Sequence, residues 1–306
     1  MRVTLIHHPD AGADGQVDAA QLVNLVQGQG HTVRYQSAAG NAWAAALAEP
    51  ADLVAIAGGD GTVARVAKAL VGRALPFTVL PMGTANNISK TLGLTDLPLA
   101  ALVAGWAAGR HVAFDVAVAR GPWGRRHFLE GFGAGLFAWT LPEADRSKTL
   151  ETLNDGEARL AYALQLLRER LAHCAPHALT VRLDGRDLSG EYVLFEAMNI
   201  HYVGPNLYLA PAGDLADGML DVLLVPEADR DILGHYLTSW QNGMSWPADL
   251  PTYRARCVQL EWTGYEVHID DFVWPEAGHA PPAAPARIDL TVESRALQFL
   301  LPAAPV

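Results

Sequence analysis

Residues 54–62 read VAIAGGDGT, an apolar run that ends on two glycines, a carboxylate, a third glycine and a threonine. An unbroken run of this kind suits a strand buried on both faces. Gly58, Gly59 and Gly61 admit backbone angles closed to other residues and leave room for a ligand against the main chain. Immediately after them, TVARVAKALV places Val63, Val66, Ala67, Leu70 and Val71 at helical spacing. The order is therefore strand, glycine loop, helix, with Thr62 placed to cap the helix. Taken alone, such a loop serves equally as a tight turn.

The same grammar repeats on either side. RVTLIHH precedes AAQLVNLVQ, HTVRYQS precedes NAWAAALA, and FTVLP precedes NNISKTLGL. Short apolar runs alternating with helical patterns predict a parallel sheet covered by helices, a Rossmann-like α/β domain. After about residue 115 the pattern changes. ALTVRLDGRDLSGEYVLFEAMNI, with a hairpin turn at Asp184-Gly185, then GMLDVLLVP, VQLEWTGYEVHI and ARIDLTVESRALQFLL read as successive antiparallel strands. The expectation is α/β overall: a parallel-sheet domain over residues 1–118 and a mainly β, sandwich-type domain over 119–292. The tail from about 293 to 306 is expected to pack back onto the first domain. Within the second domain, EARLAYALQLLRERLAHC sets Leu160, Leu164, Leu167 and Leu171 on one helical face, read as a packing stripe. EAGHAPPAAPARI reads as a poorly ordered surface loop.

Composition narrows the function. A chain of 306 residues with half its residues hydrophobic is comfortable for two cores. A formal net charge of −11 argues against a nucleic-acid backbone as partner. The two cysteines, Cys174 and Cys257, make neither a disulfide framework nor a CxxC metal pair. With no long apolar segment at the start or elsewhere, the expected setting is soluble and cytoplasmic. No HExxH, GxSxG or Cys-His arrangement points to zinc or acyl chemistry.

A loop at the carboxyl end of a parallel strand, opening into a helix, is where anions bind, because unpaired N–H groups and the helix dipole point there. GGDGT sits at that place, without the lysine of a GxxxxGK[ST] loop. Asp60 beside phosphates would be repelled unless a Mg²⁺ or a proton lay between them; the expected ligand is a metal-bound nucleotide whose metal and phosphates Asp60 organises. A second loop, PMGTANN at 81–87, offers Gly83 for backbone approach, Thr84 as a hydroxyl donor, and Asn86 and Asn87 at a helix start.

GGDGT, then PMGTANNISKTLGL, GFGAG at 131–135, YVGPNLYLAP at 202–211 and LADGMLDVLLV at 215–225 together resemble the diacylglycerol kinase catalytic-domain family, which includes sphingosine kinases and bacterial lipid kinases. By composition alone GGDGT arises in roughly one chain of this length in a few thousand. The resemblance covers most of the chain. It implies ATP-dependent phosphorylation of a lipid hydroxyl in a cleft between an α/β domain and a β sandwich. It implies nucleotide contacts at Gly58, Gly59, Asp60, Gly61, Thr62, Val63 and Ala64 and at Gly83, Thr84 and Asn87. It also implies Mg²⁺ held by the Asp217 side chain with Asp214 and Met219 as carbonyl donors, although Asp217-Gly218 reads equally as a simple turn.

The family's general base is an Asp in a DGE triplet. This chain has HIDDFVWP there, with Asp270 in the Asp position, Asp271 for glycine and Phe272 for glutamate. Asn87 stands where many members have Asp, and GFGAG lacks the aspartate of the corresponding GFDA. Implied partners are a lipid substrate met by transient contact with a membrane surface, and a second copy in a homodimer. NAD kinases share a GGDGT-type loop, so an NAD kinase-like or other small-alcohol kinase is the alternative enzyme. The altered triplet leaves open a catalytically silent nucleotide- or lipid-binding regulator.

Overall fold

A computed structural model describes residues 1–11, 17–244, 249–276 and 285–304. Most of the expected proline-alanine loop, residues 277–284, lies outside them. The chain divides into two compact units, one of residues 1–114 with 295–306 and the other of 115–294.

The first unit holds β1 (Arg2–His7), α1 (Ala19–Gly28), β2 (Thr32–Ser37), α2 (Trp43–Ala46), β3 (Leu53–Gly58), α3 (Asp60–Lys68), β4 (Phe77–Pro81), α4 (Asn87–Thr91), α5 (Leu99–Ala104) and the start of β5 (Arg110–Gly121). The sheet order is β2, β1, β3, β4, all parallel. All six residues of β3 are buried, as a central parallel strand covered on both faces requires. Helix α1 starts where Asp18 accepts the Gln21 amide and Gln21 returns a bond to the Asp18 amide, a capping box written as DAAQ.

The second unit continues β5 and adds β6 (Gly124–Phe128), β7 (Gly131–Gly135), α6 (Leu136–Asp145), α7 (Lys148–Thr152), α8 (Gly156–Leu171), β8 (His177–Leu183), β9 (Arg186–Asp187), β10 (Gly190–Met198), β11 (Tyr202–Val203), β12 (Leu207–Tyr208), β13 (Leu220–Pro226), α9 (Arg230–Gln241), β14 (Thr252–Ala255), β15 (Cys257–Trp262), β16 (Val267–Ile269), β17 (Phe272–Trp274) and most of β18 (Ala286–Leu301). Strand β10 organises it. Residues 194–198 of β10 lie between β7 and β13, with β16 on the far side of β7. The pairing with β13 shifts register between Tyr192 and Leu194, and on the other side residues 190–192 pair, in place of β7, with β8, which leads to β15 and β18. Inward residues alternate along β8 (Leu179, Val181, Leu183) and β15 (Val258, Leu260, Trp262), and join Phe128, Phe132, Phe195 and Ile288 in one core. The hairpin falls at Asp184-Gly185, both with positive φ (48° and 85°), as a two-residue turn of the primed type demands.

This unit is more helical than its sequence suggests. Helix α8 buries Leu164, Leu167 and Leu171 of the expected stripe, leaves Leu160 half-buried and adds Leu166. It packs against α6 and α9, neither of which was expected. Helix α6 begins directly at the end of β7 and contains Pro142, and α9 mixes Gly234 and polar residues among Leu233, Tyr236 and Leu237. Both weaken the periodic signal. Among the described residues no helix is long and apolar enough to cross a membrane.

The end of β18 returns to the first unit and lies parallel to β4, with Phe299 opposite Phe77. Both rings are fully buried and meet edge to face at 5.1 Å, and the Thr78 hydroxyl donates to the Leu300 carbonyl at 3.0 Å. Truncating Phe299 to Ala is expected to cost about 3–5 kcal/mol. Urea denaturation measures it, and an unchanged midpoint would show that the tail contributes nothing to this sheet.

Candidate active site

Strands β3 and β4 end side by side, with Gly58 opposite Pro81 and the Met82 amide donating to the Gly58 carbonyl at 3.1 Å. The loops that follow touch through bare backbone. A methyl group on Gly83 would lie 2.3 Å from the Gly59 Cα, and one on Gly59 would lie 3.0 Å from the Gly83 Cα. Gly83, expected to make room for a ligand, makes room for Gly59. On Gly58 a methyl group would meet the Thr62 side chain at 3.0 Å.

Gly59 is the N-cap of α3, so the helix begins at Asp60 and Thr62 lies inside it rather than capping it. The first helical bonds run from the Thr62 and Val63 amides to the Gly59 carbonyl, both at 3.0 Å. Val63 and Ala64 turn their side chains into the core. The amides of Gly59, Asp60 and the exposed Gly61 lie ahead of the first helical bonds, at the positive end of a nine-residue helix.

The Asp60 carboxylate reaches the second loop. Its Oδ1 accepts the Ile88 amide at 3.0 Å, and the Asn87 and Asn86 amides add to the same interaction. Burial pushes its pKa up and these backbone donors pull it down, with burial prevailing. Asn86, at φ 53°, grips Gly83 at both ends, Oδ1 accepting its amide at 2.8 Å and Nδ2 donating to its carbonyl at 2.7 Å. Asn87 is buried and Thr84 is exposed on the loop tip. The structure thus brings the residues expected at 58–64 and at 83–87 together, and gives Asp60 a main-chain duty.

In the second unit Asp270 occupies a left-handed turn, φ 52°, between β16 and β17. Its Oδ1 accepts the Leu129 amide at 3.1 Å and the Glu130 amide at 2.9 Å, and its own amide donates to the Gly131 carbonyl at 2.8 Å. Phe272, in place of the family's glutamate, lies half-buried under the Arg126 guanidinium, 3.8 Å from the ring centre. Asp271 opens onto a cavity of about 940 Å³ whose wall combines Trp139, Pro142, Phe272 and Val273 with the carboxylates of Asp145 and Glu266 and the guanidinium groups of Arg146 and Arg170.

A hydrogen-bonded path joins this turn to the LADGM segment. Asn199 Nδ2 donates to the carbonyls of Leu129 (3.2 Å) and Asp115 (3.0 Å), and the buried Asp115 carboxylate accepts the Gly218 amide at 2.6 Å. At the far end Asp217 Oδ1 accepts the Met219 amide at 2.9 Å while its other oxygen pairs with Arg254, and Asp214 Oδ1 accepts the Ala216 amide at 2.9 Å. The Asp217 side chain, which the resemblance assigned to Mg²⁺ together with the Asp214 and Met219 carbonyls, is paired here with Arg254. The Arg254 guanidinium supplies the positive charge beside Asp217.

Sequence reading passed over Asp115, Asn199, Glu196 and His268. Glu196 had a signal, a carboxylate inside the apolar strand run VLFEAM, which has to find a partner when buried. So had Gly131 and Gly133, two glycines on one face of a strand.

The chain thus joins a parallel α/β unit, whose two glycine loops meet at a helix start, to an antiparallel β sandwich. The chain belongs to the diacylglycerol kinase catalytic-domain family. Residues 2–119 match the model of the diacylglycerol kinase catalytic domain, and residues 142–300 that of the YegS C-terminal NAD kinase beta sandwich-like domain. It is 26% identical over 321 residues to a diacylglycerol kinase of Mycobacterium tuberculosis, covering 98% of this chain and 95% of that protein. To a "Probable lipid kinase YegS-like" protein of Pseudomonas aeruginosa it is 27% identical, covering 99% and 95%. The crystal structure of a diacylglycerol kinase from Bacillus anthracis str. Sterne shares the fold, with a TM-score of 0.68 at 20% identity over 98% of this chain and 96% of that one.

Two predictions test the loop geometry. Gly83→Ala is expected to cost several kcal/mol or to disrupt the loop pair, because backbone has to move. Gly28→Ala, with nothing within 4 Å of the added methyl, is expected to stabilise by about 0.5–1 kcal/mol. Thermal melts of the two variants compare them, and equal effects would refute the close contact. For Asp60, replacement by Ala strips the Ile88 amide of its acceptor and is expected to cost about 1–3 kcal/mol. Asp60→Asn keeps an oxygen there and is expected to cost much less. Chemical denaturation separates the two, and indistinguishable values would refute the tether.

Proposed function

We propose that this protein is an ATP-dependent lipid kinase that transfers the γ-phosphate of MgATP, taken up as substrate, to a lipid hydroxyl met at a membrane surface. The observation that carries the reading is the paired loop of the first unit. Gly59 and Gly61 amides precede the first helical bonds of α3, and the second loop lies against them through Gly83. Family membership and the names of the relatives point the same way. Thr84, exposed on the second loop, is the hydroxyl available to a phosphate oxygen.

On the acceptor side, Asp270 takes the hydroxyl proton as general base. The turn that holds it leads through Asp271 into the 940 Å³ cavity, whose apolar wall of Trp139, Pro142, Phe272 and Val273 suits a hydrocarbon portion and whose carboxylates suit a hydroxylated headgroup. Phosphoryl transfer depends chiefly on positioning and charge neutralisation, with a base adding about 10²–10⁴ in rate.

The experiment is phosphate transfer from labelled ATP to diacylglycerol, a sphingoid base and NAD, measured side by side. Labelling of a lipid, with Asp270→Asn lowering kcat about 10²–10⁴-fold, is the expected outcome. The Asn oxygen still accepts the Leu129 and Glu130 amides, so the turn survives the change. Transfer to NAD alone would replace the reading with an NAD kinase-like activity, and nucleotide binding without turnover on any acceptor would leave a silent regulator.

A further inference from the structure

Beside Asp270 lies a buried ion pair that no step above uses. Glu196 on β10 is fully buried, and its Oε2 lies 2.8 Å from His268 Nε2 on β16. The pair spans β7, the strand between them. Gly133 of β7 is in register with Glu196 on one side and with His268 on the other. The side chains can meet only because Gly133 has none. A methyl group there would fall 1.9 Å from Glu196 Oε2 and 2.6 Å from His268 Nε2, and one on Gly131 would fall 2.3 Å from Glu196 Oε1. The pair thus fills the space at the very position where GFGAG lacks the aspartate of GFDA.

The other ring nitrogen faces the functional turn, with His268 Nδ1 3.0 Å from the Asp270 carbonyl oxygen. A carbonyl only accepts, so Nδ1 carries a proton. One further proton then lies between Nε2 and Oε2, and the carboxylate keeps the ring oriented whichever atom holds it. Burial works against a charged ring, but the charge of Glu196 and its hydrogen bond, with the Asp270 carbonyl and carboxylate, raise the pKa of His268 overall. Glu196 and Asp270 are the titratable groups acting on it, and the Phe137 ring of α6 lies 6.4 Å away.

Stability is a poor reason for this arrangement. A buried ion pair seldom outdoes apolar packing of the same volume. Glu196 Oε1 is buried with no hydrogen-bond partner among the described residues, which adds to the cost. What the arrangement does accomplish is to anchor the carbonyl of a residue held at φ 52°, a conformation unfavourable for aspartate unless its surroundings impose it.

We propose that Glu196 and His268 are positioning residues for Asp270: His268 donates Nδ1–H to the Asp270 carbonyl, Glu196 orients the ring, and the two set the direction of the Asp270 carboxylate. The consequence for kcat rests on the kinase reading above; the consequence for the turn does not.

The test has an arm for each. In the wild-type protein, ¹⁵N NMR of labelled histidine is expected to show His268 Nδ1 protonated throughout neutral pH, and an unprotonated Nδ1 would overturn the proposal. His268→Ala is expected to lower kcat about 10–100-fold with KM for ATP little changed. It is also expected to speed hydrogen exchange at the Leu129 and Glu130 amides that Asp270 holds. His268→Asn, whose amide N–H reaches the region of Nδ1–H, is expected to recover most of both. Wild-type kcat together with unchanged exchange in His268→Ala would overturn the proposal. Should Asp270→Asn prove harmless to turnover, the base assignment fails by itself, and the exchange arm still decides: faster exchange in His268→Ala supports positioning and unchanged exchange overturns it.

Discussion

Two stretches of main chain in the first unit come closer than any side chain would allow, and much of the candidate site depends on that contact. Gly59 and Gly83 meet Cα to Cα across the ends of β3 and β4, so neither loop can be described apart from the other. The contact leaves α3 to start at Asp60 and brings the Asp60 carboxylate within reach of the Ile88 amide. Asn86 completes the arrangement by satisfying both polar groups of Gly83. Contacts of this kind fix the course of both loops, and the proposed function draws on that: amides already held in place bind an anion without first being ordered.

The second unit uses the same device with different residues. Gly131 and Gly133 clear one face of β7, and the cleared space holds a carboxylate and an imidazole instead of an approaching backbone. In both units a carboxylate that a motif invites one to call chemical is tied to main-chain amides: Asp60 to those around Ile88, Asp270 to those of Leu129 and Glu130. Phosphoryl transfer is mostly a matter of placement, so carboxylates that organise backbone are in keeping with the proposed function. Asn199 and Asp115 extend that organisation from the Asp270 turn to the turn at Gly218, where Arg254 stands beside Asp217.

Much of the fold was legible because its signals are local. The alternation of buried runs and helical patterns up to residue 115 specifies a parallel sheet, and Asp184-Gly185 announces a hairpin through the geometry those residues prefer. Helices α6 and α9 were missed because Pro142 and Gly234 interrupt them and because their stability comes from packing on α8. Among the site residues, the glycines and Asp60 were legible as a group, while Thr62 was misread as a cap because where a helix starts depends on backbone angles that a motif does not carry.

Sequence by itself determined that this chain has a glycine-rich turn between a buried strand and a helix, a second turn one strand later, and an aspartate in a turn near the end of a β-rich half. Those are properties of neighbours along the chain. Only the tertiary structure decided what each group touches: that Gly83 yields to Gly59, that Asp60 serves Ile88, that Asp217 meets Arg254, and that Glu196 reaches His268 across a strand with no side chain in the way. The reason is physical. A glycine is written the same way whether it makes room for a ligand, a backbone or a buried ion pair, and only the packing of segments distant in sequence selects among them.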